Sequence, residues 1–284
     1  MRSLMELGRY FSTHPLTCNA PHWAWTRFVN WQIRSRLQEE VVVEWLGGQK
    51  LAVRRGMTGA TGNIYAGLHE FSDMAFVLHF LRKGDLFLDI GANIGSFTVL
   101  AAGVCKANSW SFEPDPATIR HLQRNISING LDERVNIYAM ALGDYNGEAE
   151  LTVGRDSVNQ VLVSKGERSQ TIEIRKLDDL VGMGEPVMLK IDVEGYEDNV
   201  LRGAKGVLGL TSLKAIEIET LTSDVISLLG YHGFERMYYN PFERKISPDA
   251  FEFNSSNALY IRDRKAVSDR LASANEFRVL NACI

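Results

Sequence analysis

From residue 69 onward the chain switches repeatedly between two hydrophobic periods. Short apolar runs at "DLFLDI", "SWSFEP" (109–114), "RVNIYAMAL" (134–142), "VMLKIDVEG" (187–195) and "LKAIEIET" (213–220) read as strands. Between them "SFTVLAAGVC", "ATIRHLQRNISING", "YEDNVLRGAKGVL" and "SDVISLLGYHG" read as helices. Asp115 and Pro116 give the second of these an N-cap and a first-turn proline. Strands alternating with helices predict an α/β fold, a mostly parallel central sheet with helices on both faces. Two later β-rich runs, around Phe234–Tyr239 and Ala258–Ile261, would add an antiparallel edge. "EAELTV" and "QTIEIRKL" resemble paired strands around the polar segment 154–169.

The upstream part has a different texture. "HEFSDMAFVLHFLR" (69–82) puts Phe71, Met74, Ala75, Leu78 and Leu81 on one helical face. "TGATGNIYAGL", with three glycines, reads as a loop, and "VVVEWLGGQKLAVRRG" (41–56) as a hairpin around Gly47-Gly48. From Pro21 to Leu37, Trp25, Val29, Ile33 and Leu37 recur every four residues, which predicts an amphipathic helix. With its tryptophans and arginines, segment 21–38 is a candidate for contact with a membrane surface or a second copy; packing on its own domain is the alternative. The predicted organisation is an N-terminal extension (1–68), a main domain (69–264) and a C-terminal tail (265–284).

Composition narrows the partners. The 284 residues carry a net charge of −4, which gives no reason to expect nucleic acid. Cys18, Cys105 and Cys283 are far apart and odd in number, as suits a reducing compartment. No apolar run is long enough to span a bilayer, and the first twenty residues lack an unbroken apolar core, so a cytoplasmic location is the expectation.

The chemistry gathers at strand ends. In open α/β sheets ligands bind outside the carboxyl ends of the strands. There, Asp89 precedes the turn Gly91-Ala92-Asn93-Ile94-Gly95, and Glu113 ends the next strand, 113 − 91 = 22 residues after the first glycine. An acid at about that distance holds ribose hydroxyls in dinucleotide folds. The turn lacks the GxGxxG that admits a pyrophosphate, and Asp89 would repel one: two charges about 4 Å apart interact by roughly 4 kcal/mol at an effective dielectric of ~20. S-adenosylmethionine fits better, since it has no phosphate, a cationic sulfonium, an ammonium group and a ribose. The glycines would make room for its amino-acid tail. An NAD-dependent enzyme is a weaker alternative.

The blocks "FLDIGANIGSFT", "FEPDPATIRHLQRNISING", "ALGDYNG" (141–147) and "MLKIDVEGYEDNVLRGA" (188–204) together resemble the FkbM family of S-adenosylmethionine-dependent methyltransferases, with "KIDVEGYE" the most particular marker. "GNIYAGLHEF" also looks like the segment that precedes the core in that family, with Glu70 where an acid is usual, and Asn159 falls where an asparagine is common. Phe97 stands near a position where the family often has tyrosine. The resemblance implies a Rossmann-like class I methyltransferase fold and O-methylation of a sugar, glycan or related hydroxylated small molecule. It implies that Asp89, Gly91, Ala92, Asn93 and Gly95 line the methionine end of the cofactor. Glu113 would take the ribose, Ala141 and Leu142 would flank adenine with Asp144 nearby, and Glu70 would line the mouth beside His69.

Transfer to a hydroxyl needs the acceptor oxygen aligned and a base within hydrogen-bond reach. Alternation along "KIDVEGYE" puts Lys190, Asp192 and Glu194 on one side if the extension persists that far. Asp192 is the first candidate base, Glu194 the second, and Lys190 would pair with either or hold an acceptor oxygen. Glu217 and Glu219 alternate at the next strand's end, and one of them could face the acceptor. Asp192, Glu194 and Glu217 together could hold a divalent cation. The competing reading is a nucleoside-binding module without catalysis that recognises a partner through its N-terminal segment.

Overall fold

The computed structural model describes residues 3–152, 169–180, 182, 184–219, 222–251, 255 and 257–284; Asn159 and nearly all of the polar segment around it lie outside them. Helix α1 (Leu4–Thr13) opens on a Ser3–Glu6 capping box, and α2 (Pro21–Leu37) opens on its proline. Strands β1 (Val41–Glu44) and β2 (Lys50–Val53) form the expected hairpin, turning through Leu46–Gly48.

Two upstream expectations are corrected. The predicted loop at "TGATGNIYAGL" is a helix, α3 (Thr58–Ala66). Gly62 is used there for close packing, because a Cβ on it would lie 2.4 Å from the His69 ring, and Gly67 at φ 82 ends the helix. On α2 the stripe is divided: Trp25 packs against Phe11 while Val29, Ile33 and Leu37 are exposed, and Ala24, Trp31 and Ser35 pack inward.

Helix α4 (Phe71–Phe80) is buried on every side, not on one face, because the sheet lies beneath it and the C-terminal segment covers it. The main domain then alternates: β3 (Leu86–Ile90), α5 (Ser96–Val99) continuing into a π turn at Leu100–Val104, β4 (Asn108–Phe112), α6 (Pro116–Ser127) and β5 (Val135–Tyr138). Next come β6 (Ala141–Leu142), β7 (Gly147–Thr152), β8 (Ser169–Arg175), β9 (Pro186–Ile191), α7 (Glu197–Arg202), α8 (Lys205–Gly209) and β10 (Ala215–Ile218). The chain finishes with α9 (Ser223–Tyr231), β11 (Glu235–Asn240), β12 (Lys245–Ser247), β13 (Ala258–Ile261), α10 (Arg264–Ala272) and the small hairpin β14 (Arg278–Val279) and β15 (Ala282–Cys283).

The central sheet runs β12-β11-β13-β10-β9-β3-β4-β5. The five strands from β10 to β5 are parallel, and β13 inserts antiparallel between β10 and β11. The late β runs therefore form the antiparallel end of the sheet, as expected. Strands β6, β8 and β7 form a separate small sheet, with β7 and β8 paired as their sequences suggested.

Register explains the site. One face of the sheet carries Leu88, Ile90, Leu189, Ile191, Ile216 and Ile218, all apolar. The other face lies under α4, and it carries Ser111, Asp89, Lys190 and Glu217 side by side on β4, β3, β9 and β10. All four are buried. One register step further toward the carboxyl ends, the same strands deliver Glu113, Gly91, Asp192 and Glu219.

The N-terminal segment shares a core with the sheet: Leu7, Phe11, Trp31 and Leu51 pack in one cluster with Leu122, Ile126 and Val135. Asn125 on α6 is fully buried and clamps this joint, accepting from Ala52 N at 2.7 Å and donating to Ile94 O at 2.8 Å. Val267, Leu271, Val279 and Ile284 of the last segment close over α4. Among the described residues no helix is long and apolar enough to cross a membrane. Replacing Asn125 by Leu orphans two buried backbone groups and is expected to cost about 2–4 kcal/mol, read as a lowered urea midpoint with an unchanged m-value.

Candidate active site

The carboxyl ends of β3, β4 and β9 open into a cavity of about 610 Å³. Its floor is the turn after β3. Gly91 sits at φ 81, and a Cβ there would lie 1.9 Å from the Asp192 carbonyl oxygen. Gly91 N and Ala92 N donate to Phe112 O at 3.0 and 2.9 Å, and Asp192 N donates to Ile90 O at 2.9 Å. The turn is thus laced to β4 on one side and β9 on the other. Gly95, at φ 89, starts α5 in the left-handed region, where a Cβ would meet Leu122 at 2.5 Å. Gly91 lines the cavity and also makes room for the backbone of Asp192, whereas Gly95 stays off the cavity wall and makes room for Leu122.

Glu113 curls over the turn. Its Oε2 accepts from Asn93 N at 2.9 Å and its Oε1 from Asp115 N at 3.0 Å. Burial nevertheless pushes the carboxyl up to about 7. Asn93 holds φ 51 while its own Oδ1 accepts from Ile94 N at 2.8 Å. Deeper in the cavity, Asp89 accepts from Thr98 Oγ1 at 2.6 Å; burial raises it, while Lys190 and Thr98 resist the shift.

Lys190 is the only lysine or arginine classed as buried among the described residues. Its Nζ lies 2.6 Å from Asp192 Oδ2 and 4.4 Å from the centre of the Phe97 ring. Burial opposes its charge, but Asp192, Glu70 and Asp89 outweigh burial and hold the ammonium above the usual lysine range. Burial also opposes ionisation of Asp192, yet Lys190 keeps that carboxyl below its ordinary value. Glu219 is exposed at the cavity; partial burial and the charges of Asp192, Glu194 and Glu197 push it up to about 7.

The residues expected at the site converge. Asp89, Gly91, Ala92, Asn93, Glu113, Ala141, Leu142, Lys190, Asp192 and Glu194 all line this one cavity, as do Glu70 and His69 from the segment before the core. Glu70 accepts from Asn257 Nδ2 at 3.1 Å. Strand β9 ends at Ile191 and Glu194 turns through φ 54, so the extension does not persist to Glu194. The loop there is held by Glu197, which accepts from Val193 N and Gly195 N. Asp144 is off the wall, with Met140 on it instead.

Glu217 is also absent from the wall, being one register step too deep, and Glu219 takes the place beside Asp192 and Glu194. Oxygens of those three carboxyls lie within 4.8 Å of one another. Carboxyls this close disfavour one another's ionisation, and Lys190 decides the order by keeping Asp192 charged while Glu219 is pushed up. Sequence reasoning missed one further feature: Asn257 sits at the start of β13 without any motif. Residues from Arg54 to Asn63 form another wall of the cavity, as expected for loop 56–68 next to the acceptor.

A sequence profile described as "Methyltransferase FkbM domain" matches residues 89–236. The hexuronic acid methyltransferase AglP of Haloferax volcanii is 30% identical over 140 residues, covering 48% of this chain and 57% of that protein. Methyltransferase 1 of Beauveria bassiana is 28% identical over 160 residues, covering 47% of this chain and 64% of that protein. For the 31-O-demethyl-FK506 methyltransferase FkbM of Streptomyces tacrolimicus the figures are 25% over 209 residues, 58% and 78%. The chain thus spans less than two thirds of the length of the first two relatives. A solved putative transferase from Pyrococcus horikoshii matches 78% of the chain and 70% of its own at 14% identity and TM-score 0.43, too distant to bear on chemistry.

The buried acids have a consequence for stability. Asp73 on α4 and Glu113 are held up to about 7, so the folded chain keeps protons that the unfolded chain releases near pH 4. Their contribution is complete below pH 4 and is lost as pH rises through about 7. His14 and His79, lowered to about 4, act in the opposite direction only up to about 6.5. The ligand-free Tm is therefore expected to decline between pH 6.5 and 8, with a shallower decline in Asp73→Asn; calorimetry showing a rise across that window would contradict the assignment.

Proposed function

The chain belongs to the FkbM methyltransferase family, and from that premise we propose that it is an S-adenosylmethionine-dependent O-methyltransferase acting on a hydroxyl of a sugar or related small molecule. The observation that carries the reading is the cluster of Asp192, Glu194 and Glu219, three carboxyls with oxygens within 4.8 Å of one another at the open end of the cavity beside Gly91. The printed names of two relatives, a hexuronic acid methyltransferase and a 31-O-demethyl-FK506 methyltransferase, support a hydroxylated acceptor.

The residues present suit this cofactor. Glu113 keeps free lone pairs on two oxygens already fixed by backbone N–H groups, a rigid acceptor for ribose hydroxyls. Asp89 and Glu70 present carboxyls to the inner wall and favour cationic groups over phosphate. Ala141 and Leu142 give an apolar surface for a base. When bound, the cofactor supplies a methyl group already activated by a sulfonium.

The chain's own residues then have three tasks. Asp192, oriented by Lys190 and by its backbone bond to Ile90, fixes one end of the acceptor hydroxyl. Glu219, held near neutrality, takes the hydroxyl proton on its free carboxylate oxygen, with Glu194 beside it as the alternative acceptor. Lys190 keeps Asp192 ionised, so Glu219 holds its own proton at low pH and releases it as pH rises. The wall from Arg54 to Asn63 bounds the acceptor side and excludes water.

Labelled methyl donor offered with a panel of hydroxylated sugars is expected to place label on oxygen; label on nitrogen alone would defeat the reading. Glu219→Gln is expected to lower kcat by about 10²–10⁴-fold. In the wild type, kcat/KM should climb with pH through about 7, and Glu219→Gln should lose that limb. Replacing Glu113 by Ala should weaken cofactor binding about 10–100-fold in calorimetry, the loss of charge-assisted hydrogen bonds worth about 1.5–3 kcal/mol.

A further inference from the structure

A second cavity, of about 220 Å³, lies on the α4 face of the sheet beyond the transfer site. Glu217 lines it from β10 and Asp73 from α4, and Phe76, Met237 and Leu259 give it apolar walls. Asn257 stands between the two cavities and belongs to both. Glu217 is 1% exposed, and among the described residues neither of its carboxylate oxygens has a hydrogen-bond partner. An unpartnered buried acid is a substantial penalty on folding.

Among the described residues no cation makes an ion pair with it. Lys190, level with Glu217 on the neighbouring strand, directs its ammonium to Asp192 and lies over Phe97. Arg236 borders the cavity but projects from the opposite face of β11, where it lies 5.3 Å from the centre of the Tyr238 ring. Asp73 is already occupied by Ser255 and by Asn257, whose Nδ2 is 3.1 Å away, and it adds a second acid to the same space. Five acids, Glu70, Asp73, Asp89, Asp192 and Glu217, surround one lysine.

We propose that this cavity binds a small organic ammonium, with its nitrogen on Glu217 and Asp73 and its carbon skeleton against Phe76, Met237 and Leu259. A bare ion does not fill the space, which is several times the roughly 30 Å³ share of one water. Apolar and aromatic walls suit alkyl carbon, and the aromatic ring adds cation–π attraction. The site is distinct from the cofactor cavity and does not depend on methyl transfer.

The test uses butylammonium chloride as the probe, with butanol and potassium chloride as controls, on the full chain. Butylammonium is expected to raise the Tm in a saturable way and to place its nitrogen beside Glu217 in a soaked crystal, while butanol and potassium do neither. Glu217→Gln should lose this response at least tenfold in apparent affinity. Without ligand the same variant should melt about 2–4 °C higher, as expected for relief of about 1 kcal/mol in a chain of this size. Glu113→Ala, altered only in the other cavity and away from Lys190, should keep the butylammonium response. Equal responses to butanol, a response to potassium alone, an unaffected Glu217→Gln variant, or no response in the wild type would each overturn the proposal.

Discussion

One ammonium, that of Lys190, has to satisfy a sheet face that is otherwise acidic. Its neighbours in register are Asp89 and Glu217, its ion-pair partner is Asp192, and Glu70 faces it from the start of α4. A charge so deeply placed persists only where opposite charges outweigh the desolvation cost, and here they do. Its geometry then decides the protonation of everything around it. The acid that receives the direct contact, Asp192, stays ionised; those at second distance, Asp89, Glu70 and Glu217, are all raised by burial. A cavity lined by carboxyls that lack enough cations is prepared for cationic ligands, because each positive group that enters gains interactions the apo protein cannot complete.

Register, more than sequence proximity, makes this arrangement. Parallel pairing sets β4, β3, β9 and β10 level with one another, so residues tens of positions apart form two polar rows. The lower row lies under α4, and the upper one opens to solvent at the strand ends. Gly91 belongs to the upper row and contributes no side chain, which lets the first turn and the Asp192 backbone touch. The turn after β3 and Asp192 are thereby one mechanical unit, and a disturbance at either is transmitted through backbone atoms without an intervening flexible side chain.

Much of this was legible in the sequence, and the failures share a cause. Alternating strands and helices gave the parallel sheet, and Asp89 through Gly95, Glu113 and "KIDVEGYE" were placed together at strand ends. Periodicity reads the face of a strand but not depth along it. Glu217 and Glu219 have the same parity, yet two residues of rise separate a buried acid from one at the cavity mouth. Helix α3 was hidden for a related reason: its glycines argue for a loop until the His69 ring is seen against Gly62. On α2 the regular spacing of Val29, Ile33 and Leu37 was real, but Ala24, Trp31 and Ser35 fit the neighbouring surface more closely, and local pattern carries no information about that surface. Asn257 had no signal at all, since its role arises where β13 enters between β10 and β11.

The N-terminal segment takes its meaning from the same cavity. Asn63 donates to Ser96 at the start of α5 and accepts from His69 N, so α3 is fastened both to the cofactor turn and to the segment leading into α4. Tyr10 of α1 bonds His69 Nδ1 at 2.7 Å, and Arg27 of α2 donates to Tyr65 O at 2.8 Å, which braces that wall from behind. The sheet supplies the cavity turn and its acids by register, in a geometry that β-strand pairing leaves little freedom to change. The wall from Arg54 to Asn63 is carried by a short hairpin and a glycine-containing helix, which are far easier to reshape. Under the proposed reading, chemistry and acceptor choice reside in different parts of the chain: the rows under and beside Lys190 would fix what reaction is possible, and the braced N-terminal wall would bound the acceptor.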